Sequence, residues 1–387
     1  MKDLSPRRRS LAGACLAHFL HDGYTDQLYA LLPVWQPEFG LSYAGLAVVR
    51  ALYYGPMAGL QVPADRFFAR FGARFALALA TFIAAAGYLL MALPFGFAGL
   101  CCGLVLAGIG SSVQHPRSSL LVATTFGKAA RGPLGVYNFC GDLGKAALPA
   151  IVALLLPLLA WRPVVGIMSG VGLAFVVLLL VLIPRQTVQP AEEASHEGEG
   201  SDGKGFGLLL AIGACDTATR MGFLLFLPFL ITDKGGTQST VGLALALIFA
   251  GGALGKATCG WLGQRFGVVG SVIATEAATA LIMVATLALP LYAALAALPL
   301  LGIVLNGTSS ILYGTVPDLA RKGEVGRAFA LFYTGVIGAG GLAPIAYGAI
   351  ADLSSRTAGI AAASLTAAVI IPMVMVLGRI ARLGEQG

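Results

Sequence analysis

Ten ionisable side chains sit where hydropathy leaves almost no room for charge. Asp22, Asp26, Asp142, Asp216 and Glu276 are acidic; Arg50, Arg117, Lys145, Arg220 and Lys256 are basic. Each lies within an apolar run, and an ionised group at the centre of a bilayer costs about 2.5–3.5 kcal/mol on insertion scales. Facing lipid, ten such groups could not be sustained, so they must face one another or water. Guanidinium and ammonium groups in a low-dielectric pocket attract carboxylate, phosphate or phosphonate, and arginine does so bidentately. Carboxylates in the same pocket shed their cost by pairing with a base or by taking a proton. An anion at Arg50, Arg117 or Lys145 would therefore deprive Asp22, Asp26 or Asp142 of its partner and leave it to take up a proton.

Helical spacing says which of these groups share a face, because residues three and four apart are neighbours. His18, Asp22, Asp26 and Tyr29 form one stripe; Asn138, Asp142 and Lys145 form another. Gln114, Arg117 and Ser118 line up beside His115 and Pro116, the proline freeing a backbone carbonyl locally. Asp216 stands four residues before Arg220, as a self-neutralising pair would, and Arg50 lies beside Tyr53 and Tyr54. Asn306 is a polar group that needs a partner, and Tyr333 repeats Tyr137 in the second half of the chain. The candidate binding set is Arg50, Tyr53, Gln114, Arg117, Asn138, Lys145, Arg220, Asn306 and Tyr333. The candidate proton-carrying set is Asp22, Asp26, His115, Asp142 and Asp216. Glu276 reads as a packing residue, and Lys256 is close enough to a helix end to snorkel. Ser111, Ser112, Ser118 and Ser119 lie near His115, but no nucleophile, base and orienting group can be assigned by spacing, so no catalytic residues are expected.

The elements that position these groups follow from composition. Of 387 residues, 57% are hydrophobic and 11% charged, and mean hydropathy is +0.84. Soluble domains spend about a quarter of their residues on charge, so a water-soluble enzyme is excluded. A span takes about 20 apolar residues. Hydropathy gives twelve, near 11–35, 42–65, 73–93, 97–122, 132–158, 163–184, 206–231, 239–262, 268–289, 291–315, 328–350 and 358–378. Seventeen of the 25 basic residues, from Lys2 and Arg7–Arg9 through Arg66, Arg70, Arg74, Arg265 and Lys322 to Arg379 and Arg382, fall on the side that holds both termini. Three fall on the other side and five within spans. Cytoplasmic loops retain Lys and Arg, so both termini are expected inside, in a bacterial-type inner membrane. The net charge of +7 is thus a topology signal, and no nucleic-acid partner is expected. The six cysteines show no metal-site spacing and no disulfide framework. No metal or cofactor is expected.

Arg7–Arg9 before an apolar run resembles a secretory leader, but His18, His21 and Asp22 interrupt the run too early, which predicts a retained first span. Residues 185–205, rich in Glu, Gly, Ser and Pro, cannot bury enough apolar surface to order themselves. They read as a flexible cytoplasmic linker between a six-span bundle over 1–184 and another over 206–387. The halves repeat. A shift of 195 residues places Pro33 on Pro228 and Arg70-Phe71-Gly72 on Arg265-Phe266-Gly267; a shift of 196 places Arg131 on Arg327, Tyr137 on Tyr333 and Gly144 on Gly340. Six intervening spans make this a parallel repeat about an axis along the membrane normal.

Such a duplication resembles the major facilitator superfamily. Gly260-Trp261-Leu262-Gly263-Gln264-Arg265-Phe266-Gly267 matches its loop motif except at Gln264, and Asp65-Arg66 with Arg70-Phe71-Gly72-Ala73-Arg74 is a looser copy. The resemblance implies a gating role for Asp65, Arg66, Arg70 and Arg265. It also implies an all-helical membrane fold with a central cavity, onto which nine of the ten buried charges would fall, Glu276 excepted. Gly110-Ser111-Ser112-Val113-Gln114-His115-Pro116-Arg117-Ser118-Ser119, Gly141-Asp142-Leu143-Gly144 and His18-x-x-x-Asp22 are similar to the fosmidomycin-resistance branch of exporters. That branch implies proton-driven efflux of a small anionic or amphiphilic compound by a monomer. Arg117, Asp142 and Lys145 depart from its pattern. An importer of organic acids or an exporter of cationic drugs would use the same charges.

Overall fold

The structure is a computed structural model that describes residues 5–185, 205–321 and 324–384. The linker residues 186–204, together with Lys2 and Lys322, lie outside the described residues, as do the side chains of Arg131 and Gln264. Among its described residues the chain is all-helical. Its helices are α1 (Pro6–Phe39), α2 (Tyr43–Gly59), α3 (Gln61–Phe68), α4 (Ala73–Ala92), α5 (Gly96–Ser111), α6 (Gln114–Phe126), α7 (Arg131–Leu155), α8 (Trp161–Leu182), α9 (Phe206–Asp233), α10 (Gln238–Ala288), α11 (Leu291–Leu319), α12 (Val325–Leu353) and α13 (Arg356–Gly384).

Local chemistry sets the ends of α1. Ser5 caps its start with Pro6 in the first position, where the missing N–H costs nothing. Gly40, at φ 61°, closes it in the left-handed conformation, its N–H donating to the Gln36 carbonyl.

Two of the expected spans are each broken into two helices. α2 stops at Gly59 and α3 begins at Gln61; α5 stops at Ser111 and α6 begins at Gln114. In both places a proline, Pro63 or Pro116, sits in the first turn of the second helix. A proline ring clashes with the carbonyl four residues back, here that of Gly59 or Ser112, and supplies no N–H to it. Each interruption falls just before a proline, with the backbone between the helices still in the helical region, whereas Pro33, Pro56, Pro149 and Pro228 sit inside unbroken helices. Residues 263–267 are expected to be a loop between two spans. There α10 is two helices meeting at a kink, where Gly267 at φ 71° and ψ 165° is non-helical, as two separate spans require.

Among the described residues, ten stretches are long and apolar enough to cross a membrane. α1 and α2 are not among them: α1 is long enough, but His18, His21, Asp22, Asp26 and Gln27 make it too polar, and α2 is only 17 residues. Large apolar side chains remain exposed, Leu353, Tyr292 and Leu158 at 89%, 83% and 77% among them, as on a surface whose solvent is hydrocarbon.

The chain forms two compact units. The first comprises Met1–Gly40, Val48–Pro190 and Thr237–Ala246; the second comprises Leu41–Ala47, Ala191–Gly236 and Leu247–Gly387. In the first, Ala14, Ala17, Leu77, Leu121, Val122, Tyr137, Leu179 and Ile183 form one buried core. Tyr24 and Tyr88 tie it together higher up: their rings lie 4.1 Å apart, Tyr24 Oη donates to the Met168 carbonyl at 2.6 Å, and Tyr88 Oη donates to the Tyr24 carbonyl at 2.5 Å. The second unit has its own core, built on Ile212, Val272, Ile311, Phe332, Val336 and Ile370. Basic residues at the helix ends complete the frame. Arg9 donates to the carbonyls of Val181 and Leu182 at the end of α8, and Lys234 donates to those of Leu287 and Leu289 at the end of α10, where the helix dipole favours a cation.

Candidate functional site

The polar stripe of α1 meets α7 at very short range. A Cβ on Gly144 would stand 2.0 Å from the Phe19 carbonyl oxygen, and one on Gly141 would stand 2.6 Å from His18 Nε2 and 2.8 Å from Asp22 Oδ2. Only glycine at both positions lets the two helices touch here. The approach brings Lys145 and Asp142 of α7 to Asp22, and α6 adds His115.

Asp22 is 5% exposed and stands at the centre. Its Oδ2 lies 3.2 Å from both His18 Nε2 and Lys145 Nζ, and its Oδ1 lies 3.4 Å from His115 Nε2. Lys145 also faces Asp142 Oδ1 at 3.9 Å. The ring of His18 stacks on Tyr137 with centroids 4.0 Å apart, and its Nδ1 lies 2.9 Å from the Tyr137 carbonyl oxygen.

That last contact fixes a proton. A carbonyl oxygen only accepts, so Nδ1 must carry the hydrogen. Nε2 then faces a carboxylate oxygen, and the two can bond only with a second proton between them. Either His18 is an imidazolium or Asp22 is a carboxylic acid. With Lys145 and Asp142 counted, that proton brings the group to neutrality, which membrane depth rewards.

His18 Nε2, His115 Nε2 and a carboxylate oxygen of Asp22 lie within 4.8 Å of one another, a donor set that suits a divalent transition metal. The Lys145 ammonium already rests against that carboxylate and supplies the positive charge a metal would bring. The arrangement is therefore suited first to protons and anions.

Around this centre the expected residues fall into distinct groups. Gln114 is fully buried; its Nε2 donates to Tyr137 Oη at 3.3 Å, while its Oε1 and the Ser118 hydroxyl one turn on have no hydrogen-bond partner. Arg50 is buried with its guanidinium 4.4 Å from the Tyr29 ring centroid and 5.0 Å from that of Tyr54, a cation–π seat. Tyr53 belongs to a network invisible in the sequence: its Oη lies 2.7 Å from Ser111 Oγ, which lies 2.9 Å from His21 Nδ1, while His21 Nε2 lies 3.0 Å from Thr81 Oγ1. Asp26 is buried on the same stripe of α1. Asn138 is exposed.

Arg117 departs from its expected place among the substrate cations. Its Nε lies 2.6 Å from Asp65 Oδ1, and its Nη2 donates to the Asp65 backbone carbonyl. The Nε–Oδ1 angle is poor for a hydrogen bond, so that contact is held by charge. Asp65 is on α3 and Arg117 on α6, the two short helices that follow the proline breaks, and the pair clasps them together. Arg66 and Arg70 are exposed, with Arg70 Nε donating to the Phe67 carbonyl at 3.1 Å, and Arg265 is exposed with its guanidinium 5.9 Å from the Phe266 ring. A double-mutant cycle on Asp65→Ala and Arg117→Ala, read by thermal or denaturant unfolding, is expected to give a coupling of about 1–2 kcal/mol. That lies between exposed and buried pairs because Asp65 is one-third open to solvent.

In the second unit, the ion pair read along α9 is bridged. Arg220 Nη1 donates to Ser309 Oγ at 3.1 Å and to Asn306 Oδ1 at 3.3 Å, and Ser309 Oγ donates to Asp216 Oδ2 at 2.6 Å. Ser309 was not legible as a functional residue; a serine in an apolar span gives no signal of what it faces. Asn306 does find the partner its burial demands, and its Nδ2 donates back to the Gly302 carbonyl at 3.1 Å. Tyr333 is 48% exposed and packs on Tyr313, whereas its repeat counterpart Tyr137 is buried against His18. Lys256 is also exposed.

Comparison with known proteins agrees with this architecture. A sequence profile of the Major Facilitator Superfamily matches residues 14–211 and again 208–383. The Fosmidomycin resistance protein of Escherichia coli (strain K12) is 23% identical over 146 residues, which are 38% of this chain and 36% of that protein's length, so the match spans only about a third of the relative. Among solved structures, a bacterial homolog of the human lysosomal transporter Spinster, inward-facing and occupied, superposes with a TM-score of 0.73 at 14% identity, covering 99% of this chain and 98% of that one. A POT family transporter in complex with a thioalcohol-conjugated peptide superposes with a TM-score of 0.78 at 13% identity, covering 96% of each chain. At these identities the structures share the fold alone. The profile matches take in nearly the whole chain, and with many apolar helices carrying buried charge they identify a multi-pass membrane protein: the chain belongs to the Major Facilitator Superfamily, a family of transporters.

Proposed function

We propose that the protein exports a small organic anion in exchange for protons, with Asp22 as the exchanging group. The single observation that carries this reading is the shared carboxylate: Lys145, His18 and His115 converge on Asp22, so any anion drawn to those cations competes with it. When the anion takes Lys145, Asp22 is left buried without its ammonium partner and is neutralised by a proton. When the anion leaves, Lys145 returns and the proton departs. Asp142, 3.9 Å from the ammonium, steadies Lys145 during the exchange.

The orphaned Gln114 Oε1 and Ser118 hydroxyl support a binding surface beside His115, since a buried polar group without a partner costs about 1–3 kcal/mol, which a ligand or water would relieve. The Arg117–Asp65 clasp belongs to gating rather than to substrate contact. In this reading twelve spans, two parallel bundles over 1–184 and 206–387 joined by a cytoplasmic linker, carry the Asp22 site through alternating exposure to the two sides of an inner membrane. Both termini are cytoplasmic and the protein acts as a monomer.

The test is a thermal-shift screen of the purified protein against small carboxylates, phosphonates including fosmidomycin, and cationic drugs, because a ligand that binds the native state raises its apparent stability. Anionic hits are expected, lost in Lys145→Ala and retained in Arg117→Ala. A hit list of cations alone would overturn the anion assignment.

A further inference from the structure

The second unit buries two carboxyl groups for one guanidinium. Asp216 on α9 is 2% exposed and Glu276 on α10 is 1% exposed. α11 draws them together. Ser309 donates to Asp216 Oδ2 at 2.6 Å, while the neighbouring Thr308 donates at 2.7 Å to Thr275 Oγ1, the residue next to Glu276. The two carboxyl groups lie within hydrogen-bonding reach of each other. Ionised carboxylates are acceptors only, so a hydrogen bond between two of them requires a hydrogen on one.

Counting charge leads to the same place. Arg220 offsets one negative charge, through Ser309, and the Cys215 thiol on α9 beside both acids adds no cation. With both acids ionised, the cluster would carry an uncompensated charge at membrane depth. One proton on the pair removes it. One turn further along each helix, the hydroxyls of Thr219 and Thr279 are fully buried and have no hydrogen-bond partner among the described residues. They continue a polar track from the two carboxyls in an otherwise apolar bundle.

We propose that Asp216 and Glu276 hold one proton between them, and that Glu276, on a helix outside the anion site, is a second internal proton carrier of this transporter. Two proton sites, one in each compact unit, then serve the molecule: His18–Asp22 in the first and Asp216–Glu276 in the second. The second stands on its own geometry and does not depend on the substrate or direction assigned to the first.

The experiment is infrared spectroscopy of the full-length protein in lipid nanodiscs at neutral pH, with no substrate present. The wild type is expected to show the carbonyl stretch of a protonated carboxyl that shifts in D2O. Glu276→Gln loses that component, and Asp22→Asn leaves it in place. An unchanged protonated-carboxyl signal in Glu276→Gln overturns the proposal. The glutamine is isosteric and its amide can still donate to Asp216, so the fold is retained. Thermal unfolding across pH gives a second readout. A folded state that holds a proton which the unfolded chain releases loses stability as pH rises. The wild-type midpoint is therefore expected to fall from neutral to alkaline pH more steeply than that of Glu276→Gln, and equal slopes contradict the assignment. Both readouts are independent of transport, so failure here and failure of the anion-exchange reading are separate results.

Discussion

Asp22→Asn protein is expected to insert and fold, to bind the anion, and to lose accumulation driven by a pH gradient. Asparagine keeps the shape and one acceptor oxygen, so His18, His115 and Lys145 stay seated, and Lys145 retains Asp142 at 3.9 Å. What asparagine cannot do is exchange a proton. Coupling between two ligands is typically worth 1–3 kcal/mol, so gradient-driven flux in reconstituted vesicles should fall by about 5–150-fold. Exchange of labelled for unlabelled substrate, which needs no net proton movement, should continue. Full dependence on the pH gradient in Asp22→Asn would place the coupling elsewhere. Asp142→Asn is the control: it perturbs Lys145 without removing the central carboxylate, and should weaken binding more than coupling.

The second large effect is expected at the glycines of α7, and the two positions should fail differently. Gly144→Ala places a methyl 2.0 Å from the backbone carbonyl of Phe19, which cannot step aside unless the helix moves. Overpacking of this kind costs roughly 1–3 kcal/mol or more, so a lowered melting temperature and reduced yield of folded protein are expected. Gly141→Ala instead meets the side chains of His18 and Asp22 at 2.6 and 2.8 Å. His18 is pinned by its stacking on Tyr137 and by the Tyr137 carbonyl, so the methyl displaces Asp22 from its partners. Gly141→Ala should therefore fold with a modest loss of stability and lose coupled transport almost as completely as Asp22→Asn. Normal transport by Gly141→Ala would mean that the tight α1–α7 contact is packing and nothing more.

These contrasts show what the sequence could and could not reveal. The stripe His18, Asp22, Asp26 was legible because charge inside a helix of period 3.6 must share a face, and Lys145 with Asp142 was legible for the same reason. That they meet at Asp22 was not, since nothing in α1 names its neighbour; Gly141 and Gly144 are the visible trace of a close crossing, but glycine is common along the whole chain. Arg117 reads as a substrate cation from its spacing to Gln114 and Ser118, and the structure keeps all three on α6. Its partner Asp65 sits on α3, and spacing along one helix says nothing of what another helix presents to it. Glu276 reads as packing because it falls outside the helices that the family resemblance places around a cavity. Its partner is reached through Thr308 and Ser309, hydroxyls whose contacts no periodicity encodes.

The most direct measurement is the number of protons exchanged when an anion binds. Purified protein in weakly buffered solution with a pH-indicating dye is titrated with the anion that gives the largest thermal shift. Wild type should take up about one proton per bound anion near neutral pH, Asp22→Asn none, and Arg117→Ala the wild-type amount. Equal uptake by wild type and Asp22→Asn, or binding by wild type with no uptake at all, would contradict an exchange centred on Asp22.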